Sequence, residues 1–178
     1  MAALPDLITV AQFQQLPEHN DSLYELHHGE VVALTRPKSK HAKLQRRLSR
    51  ILEQHLAAFG ECGIEWSYCP ASEFEVRVAD VAVISKSRWD NIDPDDYLHG
   101  SPELVIEVKS PSNTKRHFQE LAALTLASGA LEFWIVDVDA RTVSVVQKGG
   151  VTKLYAPGAA IPLTAFGAAE LAVNEIFE

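Results

Sequence analysis

The chain has 178 residues, 47% of them hydrophobic, with 16 Lys and Arg against 24 Asp and Glu and a formal net charge of −8. That apolar content can bury a sizeable core and fits one domain spanning 1–178, while the acidic balance repels a phosphate backbone at long range. No apolar run approaches the roughly 18 residues of a membrane span, no basic segment leads into an apolar one near the start, and Cys62 and Cys69 have no partner pair at zinc-ligand spacing. The expectation is a cytoplasmic protein with reduced thiols and no membrane contact.

In chain order, Thr9 is placed to cap a helix from Val10 to about Leu16, which Pro17 stops. Leu23 to Leu34 reads as two short strands around His28-Gly29, with Leu23, Glu25 and His27 on one face. Leu44, Leu48, Ile51, Leu52, His55, Leu56 and Phe59 recur at helical spacing, so residues from about 39 to 59 form an amphipathic helix ending at Gly60. Within and just before it, Arg36, Lys38, Lys40, Lys43, Arg46, Arg47 and Arg50 make up seven of the chain's 16 cationic residues. This basic 36–50 run, with Lys115 and Arg116 further on, reads either as a solvated face or as a phosphate-facing patch. Ile64 to Pro70 and Ser72 to Val78 are strands, and Asp80 to Ser85 carries the second into the core. Asp90 to Gly100, with four Asp and one Pro, reads as a surface loop. Beyond the apolar strand at Leu104, Pro111-Ser112-Asn113-Thr114 breaks the chain and offers an N-cap for a helix to Ser128, with Gly129 its C-terminal cap. Leu131 to Val138 and Thr142 to Gln147 alternate as strands around an Asp139-Ala140-Arg141 hairpin. A strand near Val151 to Tyr155 and a short terminal helix complete the chain. Interleaved helices and strands give an α/β or α+β class with a mixed central β-sheet flanked by helices.

The chemistry concentrates in Pro102-Glu-Leu-Val-Ile-Glu-Val-Lys-Ser-Pro111, with Asp80 upstream in Arg77-Val-Ala-Asp-Val-Ala-Val-Ile84. Successive side chains of a strand alternate faces, so Glu107 and Lys109 point one way and Val108 the other. Charges in strands that read as buried are costly unless paired or bound to metal. Magnesium takes oxygen ligands from one or two carboxylates and keeps sites for water and phosphate. Asp80 and Glu107 supply such oxygens, and the Val108 carbonyl lies between as a third. Lys109 is then placed to orient the attacking water and to stabilise developing negative charge. The competing reading of the same residues is a Glu107–Lys109 strand-end ion pair with Asp80 as a turn or cap acid, since a D…ExK match is short.

The order of several segments resembles the Uma-type family of restriction endonucleases, within the PD-(D/E)xK nuclease superfamily, over nearly the whole chain. Ile8-Thr-Val-Ala-Gln-Phe13 with Leu16-Pro17 resembles the family's leading helix, and Tyr24-Glu-Leu-His-His-Gly-Glu-Val-Val32 its "YELxxGE" strand. Ser39-Lys-His41 opens the long helix where the family often places His. Arg77-Val-Ala-Asp80 resembles the Pro-Asp strand, with Ala79 where Pro is usual. Ser101 to Ser112 resembles the central motif, and Gly129-Ala-Leu-Glu-Phe-Trp-Ile-Val-Asp137 the "GVxEYWxVD" strand. Many members carry Leu where this chain has Lys109 and place a Lys in the next helix. At the matching helix positions this chain has His117, Leu121 and Leu124, where Asp, Lys and Tyr are common.

The resemblance implies a single restriction-endonuclease-like domain and a metal-dependent DNA endonuclease using Mg2+ or Mn2+. In that reading Asp80 and Glu107 hold the metal, Lys109 assists the water, and Glu25 adds a third acid near the metal. His41 becomes a candidate phosphate or base contact. The expected partner is nucleic acid, double-stranded DNA first, and cutting both strands is simplest with a homodimer. Glu132 and Asp137 read as pairing or capping acids, and Phe133 and Trp134 as core. Two other classes fit the same residues: a catalytically degenerate nuclease-fold binding or regulatory protein, and an enzyme on small phosphorylated substrates.

Overall fold

The computed structural model describes residues 7–17, 23–35, 37–70, 73–111 and 113–178. Arg36, Ser72 and Ser112, named above, lie outside the described residues.

A short helix α1 (Val10–Phe13) opens the described chain, with a capping box in which Thr9 and Gln12 satisfy each other's backbone N–H groups. It ends earlier than Leu16. The strands β1 (Tyr24–His27) and β2 (Glu30–Ala33) then form a separate two-stranded hairpin. Its turn needs left-handed backbone at both His28 and Gly29, with φ of 52° and 85°.

Helix α2 (Ser39–Leu56) buries Leu44, Leu48, Leu52 and Leu56, one every four residues and hence along one stripe. It ends at Leu56 rather than running to Phe59, whose ring leaves the helix to meet Phe166 edge-on at 5.3 Å. Gly60 does not cap the helix: it begins β3 (Gly60–Cys69), where a Cβ would lie 1.9 Å from the Ile84 carbonyl oxygen. Only glycine lets the two backbones approach so closely.

Strand β4 (Arg77–Ser85) runs on into a turn of helix, α3 (Lys86–Trp89). The aspartate-rich loop that follows contains a two-residue strand, β5 (Leu98–His99), which pairs in parallel with Tyr68 and Cys69. Then come β6 (Leu104–Val108) and α4 (Lys115–Ala127), the latter capped by the Thr114 side chain as its sequence predicts. β7 (Glu132–Asp137), β8 (Thr142–Gln147) and β9 (Thr152–Tyr155) form an antiparallel meander. A small hairpin, β10 (Ala160–Pro162) and β11 (Glu170–Ala172), precedes the last helix α5 (Val173–Phe177). Nothing in the period of these short segments announces that hairpin.

The central sheet has seven strands in the order β5-β3-β4-β6-β7-β8-β9. β6 and β7 are parallel, as are β3 and β5, and the other neighbours are antiparallel, so the sheet is mixed. One face packs Val81, Ile106 and Trp134 beneath α2 and the C-terminal segment. The other packs Val105 and Phe133 against Phe118, Leu121 and Leu126 of α4. Phe133 and Trp134 are therefore both core, on opposite faces, as alternation requires.

Candidate active site

The acids meet where β4 and β6 run side by side. Val81 pairs with Ile106, and the next antiparallel step sets Asp80 beside Glu107. The Asp80 carboxylate is closely held. Its Oδ2 accepts the Val108 N–H at 2.7 Å, and its Oδ1 accepts Gln45 Nε2 at 2.8 Å and lies 2.9 Å from His41 Nε2. His41 and Gln45 stand four residues apart on α2 and therefore share a face.

A local break in β4 turns Asp80 toward α2. Val81 and Val83 belong to the core under α2, while Ala82 and Ile84 belong to the α4 side. Ala79 falls on the α4 side too, although strict alternation would place it with Val81. Across the ladder the break coincides with Glu65, which has φ of 52° and no partner between the Ile64–Val81 and Trp66–Ala79 pairs. Such irregularities in a sheet re-aim side chains beside functional sites.

Glu107 shares its face with Val105, on the α4 side. Burial pushes its carboxyl well above the usual carboxylate range, and the neighbouring charges of Asp80 and then Glu25 push it further. Glu25 reaches the site from β1, where its Oε1 accepts the Val78 N–H at 2.8 Å and its Oε2 lies 2.5 Å from His27 Nε2. Glu25, Asp80 and Glu107 thus line one cleft of about 1700 Å³, which His41, Gln45, Arg77 and His117 also line. Desolvation lowers the pKa of His117, on the first turn of α4.

Lys109 lines the cleft, yet its ammonium does not pair with Glu107. Its Nζ donates to Asp137 Oδ2 at 2.7 Å, and the lysine side chain is 49% exposed. That hydrogen bond raises the Lys109 pKa. The Asp137 carboxyl is lowered first by the Ala140 N–H and then by Lys109. Asp137 therefore both pairs and caps the β7–β8 turn. Glu132 pairs likewise, accepting Trp134 Nε1 and Gln147 Nε2 at 2.8 Å each.

The basic run divides. Lys38 and Lys40 line the cleft, with Lys40 paired to Asp139 at 2.5 Å. Lys43, Arg46 and Arg50 are exposed outside it, and Arg47 donates to the Glu175 carbonyl at 2.7 Å. Arg116 pairs with Glu120 along α4 at 2.7 Å. A continuous phosphate-facing patch does not form among the described residues; two lysines at the cleft mouth take its place.

Among the described residues no group of three or more His, Cys, Asp and Glu side chains has metal-holding geometry. A hard divalent ion needs only one or two carboxylates with water and phosphate oxygens. Asp80 and Glu107 lie on neighbouring strands and line one cleft, so they are the two carboxylates that could supply such oxygens. Sequence reasoning missed Gln45 and Arg77 as site residues. For Gln45 the signal was present, in its four-residue spacing from His41.

The fold has a solved counterpart. A crystal structure titled as a "putative nuclease belonging to DUF820" from Anabaena variabilis superposes with a TM-score of 0.81 at 21% identity, covering 96% of this chain and 97% of the other. No curated protein matches the chain. No helix among the described residues is long and apolar enough to cross a membrane. Residues 10–174 match the family model described as "Putative restriction endonuclease", and the chain belongs to this family, Uma2.

Proposed function

We propose that the protein is a metal-dependent endonuclease that hydrolyses DNA phosphodiester bonds at the β4–β6 strand ends. The observation that carries this reading is Glu107: a half-buried carboxyl that lines one cleft with Asp80 and Glu25, and whose ionised form a cation would stabilise. Family membership and the shared nuclease-like fold support the coarse assignment.

Asp80 and Glu107 are the metal-holding carboxylates, with the Val108 carbonyl a third oxygen on the same strand. Bound there, a magnesium or manganese ion supplies charge neutralisation at the phosphate and a more acidic water. Val108 N–H, Gln45 and His41 fix the orientation of Asp80 so that it does not have to be ordered during the reaction. Lys109 orients the attacking water once it leaves Asp137. Glu25, fixed by the Val78 N–H, extends the acidic site through water. The substrate is double-stranded DNA, and two copies of the chain act together because one site cuts one strand.

The Lys109–Asp137 pair favours a second reading, a nuclease-fold binding protein that does not cut. Titration calorimetry with Mn2+ separates the two. The wild type binds the ion and releases protons as Glu107 ionises, while Asp80→Asn and Glu107→Gln bind it far more weakly. Heats that are equal in all three proteins remove the metal site and with it the nuclease.

A further inference from the structure

Lys109 is tied to Asp137 at the mouth of the cleft, but a second cation lies deeper. Arg77 is 8% exposed and lines the cleft with Glu25, Asp80 and Glu107. Its charge favours ionised Glu107 and disfavours protonated His117, so it lies within electrostatic reach of both. A cation this deep needs a partner. Glu75 provides it: its Oε2 accepts Arg77 Nε at 2.9 Å and lies 2.7 Å from Nη2. Glu75 Oε1 accepts the His28 N–H at 3.1 Å, which ties this anchor to the β1–β2 turn.

Glu75 occupies one edge of the guanidinium. A guanidinium presents five N–H donors in a rigid fork, and among the described residues only Nε and Nη2 are engaged. Nη1 is nevertheless no buried orphan, because Ser101 Oγ is the only buried side-chain polar atom without a partner among those residues. Nη1 has no hydrogen-bond partner among the described residues, and Arg77 lines the cleft.

We propose that this open edge of Arg77 binds the phosphodiester of a nucleic-acid substrate beside Asp80 and Glu107. The inference rests on the nuclease reading above and divides the labour between two cations. Arg77 binds the phosphate, and Lys109 acts on the water. An arginine already fixed by Glu75 loses little freedom on binding, and its planar fork matches phosphate oxygens in a way an ammonium does not. On a chain of net charge −8, a fixed cation at the acids offsets their repulsion of the phosphate.

The test uses the full chain with the 5′-phosphorylated dinucleotide pTpT in calcium. The Arg77 side-chain N–H resonance is followed by nitrogen-15 NMR, and affinities are measured by calorimetry. The expected result is a saturable shift of that resonance. Arg77→Met should weaken binding by about tenfold or more, Arg77→Lys by less, and Lys109→Ala by less than about twofold. Because Arg77→Met alone strands a buried Glu75, the double variant Glu75→Gln, Arg77→Met keeps the question open to decision if the single variant unfolds. A folded double variant that binds as wild type overturns the assignment. So does a wild type that ignores pTpT, or one that binds inorganic phosphate equally well, which would be a generic anion site. The nuclease reading is judged separately, by metal-dependent DNA cutting that Asp80→Ala abolishes. If that result holds while Arg77→Met binds and cuts like wild type, the assignment of Arg77 alone falls.

Discussion

Lys109, one residue past the end of β6, donates to Asp137 at the end of the parallel strand β7 across 2.7 Å. The pair parks the lysine at the cleft mouth rather than beside Glu107. Asp137 Oδ1 also accepts the N–H groups of Asp139 and Ala140 at 3.1 and 3.0 Å, so one side chain governs both the lysine and the β7–β8 turn.

Asp137→Asn separates those two roles, because an amide oxygen still accepts the turn N–H groups. The expected outcome is a urea midpoint close to wild type, with Asp137→Ala costing about 1 kcal/mol through the lost turn bonds. The pair raises the Lys109 pKa, so its stabilisation is present at neutral pH and lost as pH rises through the folded lysine pKa. In Asp137→Asn that pKa falls, and the alkaline limb of the rate–pH profile moves to lower pH. An alkaline limb that stays in place takes Lys109 out of the proton chemistry.

Glu107 gives the opposite pH signature. Its folded pKa is raised, so between its unfolded value and that raised value the native state binds more protons than the unfolded chain. Stability of the metal-free protein must therefore fall as pH rises through this window. Glu107→Gln abolishes this slope, and metal-free it melts at a higher temperature than wild type at pH 8. Parallel melting-temperature profiles for the two proteins from pH 5 to pH 8 would show that Glu107 is not strained by its neighbours.

Gly60→Ala tests the approach of β3 to β4. The new Cβ meets backbone, the Ile84 carbonyl oxygen at 1.9 Å, and no side chain can swing aside to relieve it. The expected cost is about 3 kcal/mol or more by denaturant unfolding, at the upper end for overpacking. A loss under about 1 kcal/mol would mean that the strand end relaxes freely.

The sequence made the sheet core and most element positions legible because their periods are strong. Leu44 to Leu56 recur every turn, and Leu104 to Val108 and Glu132 to Asp137 are apolar runs bounded by turn residues. The motifs also singled out Asp80 and Glu107, and the structure sets them on the neighbouring strands β4 and β6. What the sequence did not show depends on contacts between distant segments. Alternation set Glu107 and Lys109 on one face, but the partner of Lys109 is on β7 and is chosen by tertiary neighbours. Arg77 read as an ordinary residue within a strand from Ser72 to Val78, whereas it opens β4 and is held by Glu75 beside the β1–β2 turn. The break at Asp80 lies opposite Glu65 in another strand, so no reading of β4 alone would find it.

The central claim is tested most directly by plasmid cleavage with Mg2+ or Mn2+, comparing wild type with Asp80→Ala, Glu107→Gln and Lys109→Ala. The account predicts cutting that needs the ion and disappears in Asp80→Ala and Glu107→Gln. Lys109→Ala should retain the wild-type affinity for DNA but lose about a hundredfold or more in rate, as for a group acting mainly in the transition state. Cutting that persists unchanged in the Asp80 and Glu107 variants, or that proceeds equally well in chelator, would contradict it.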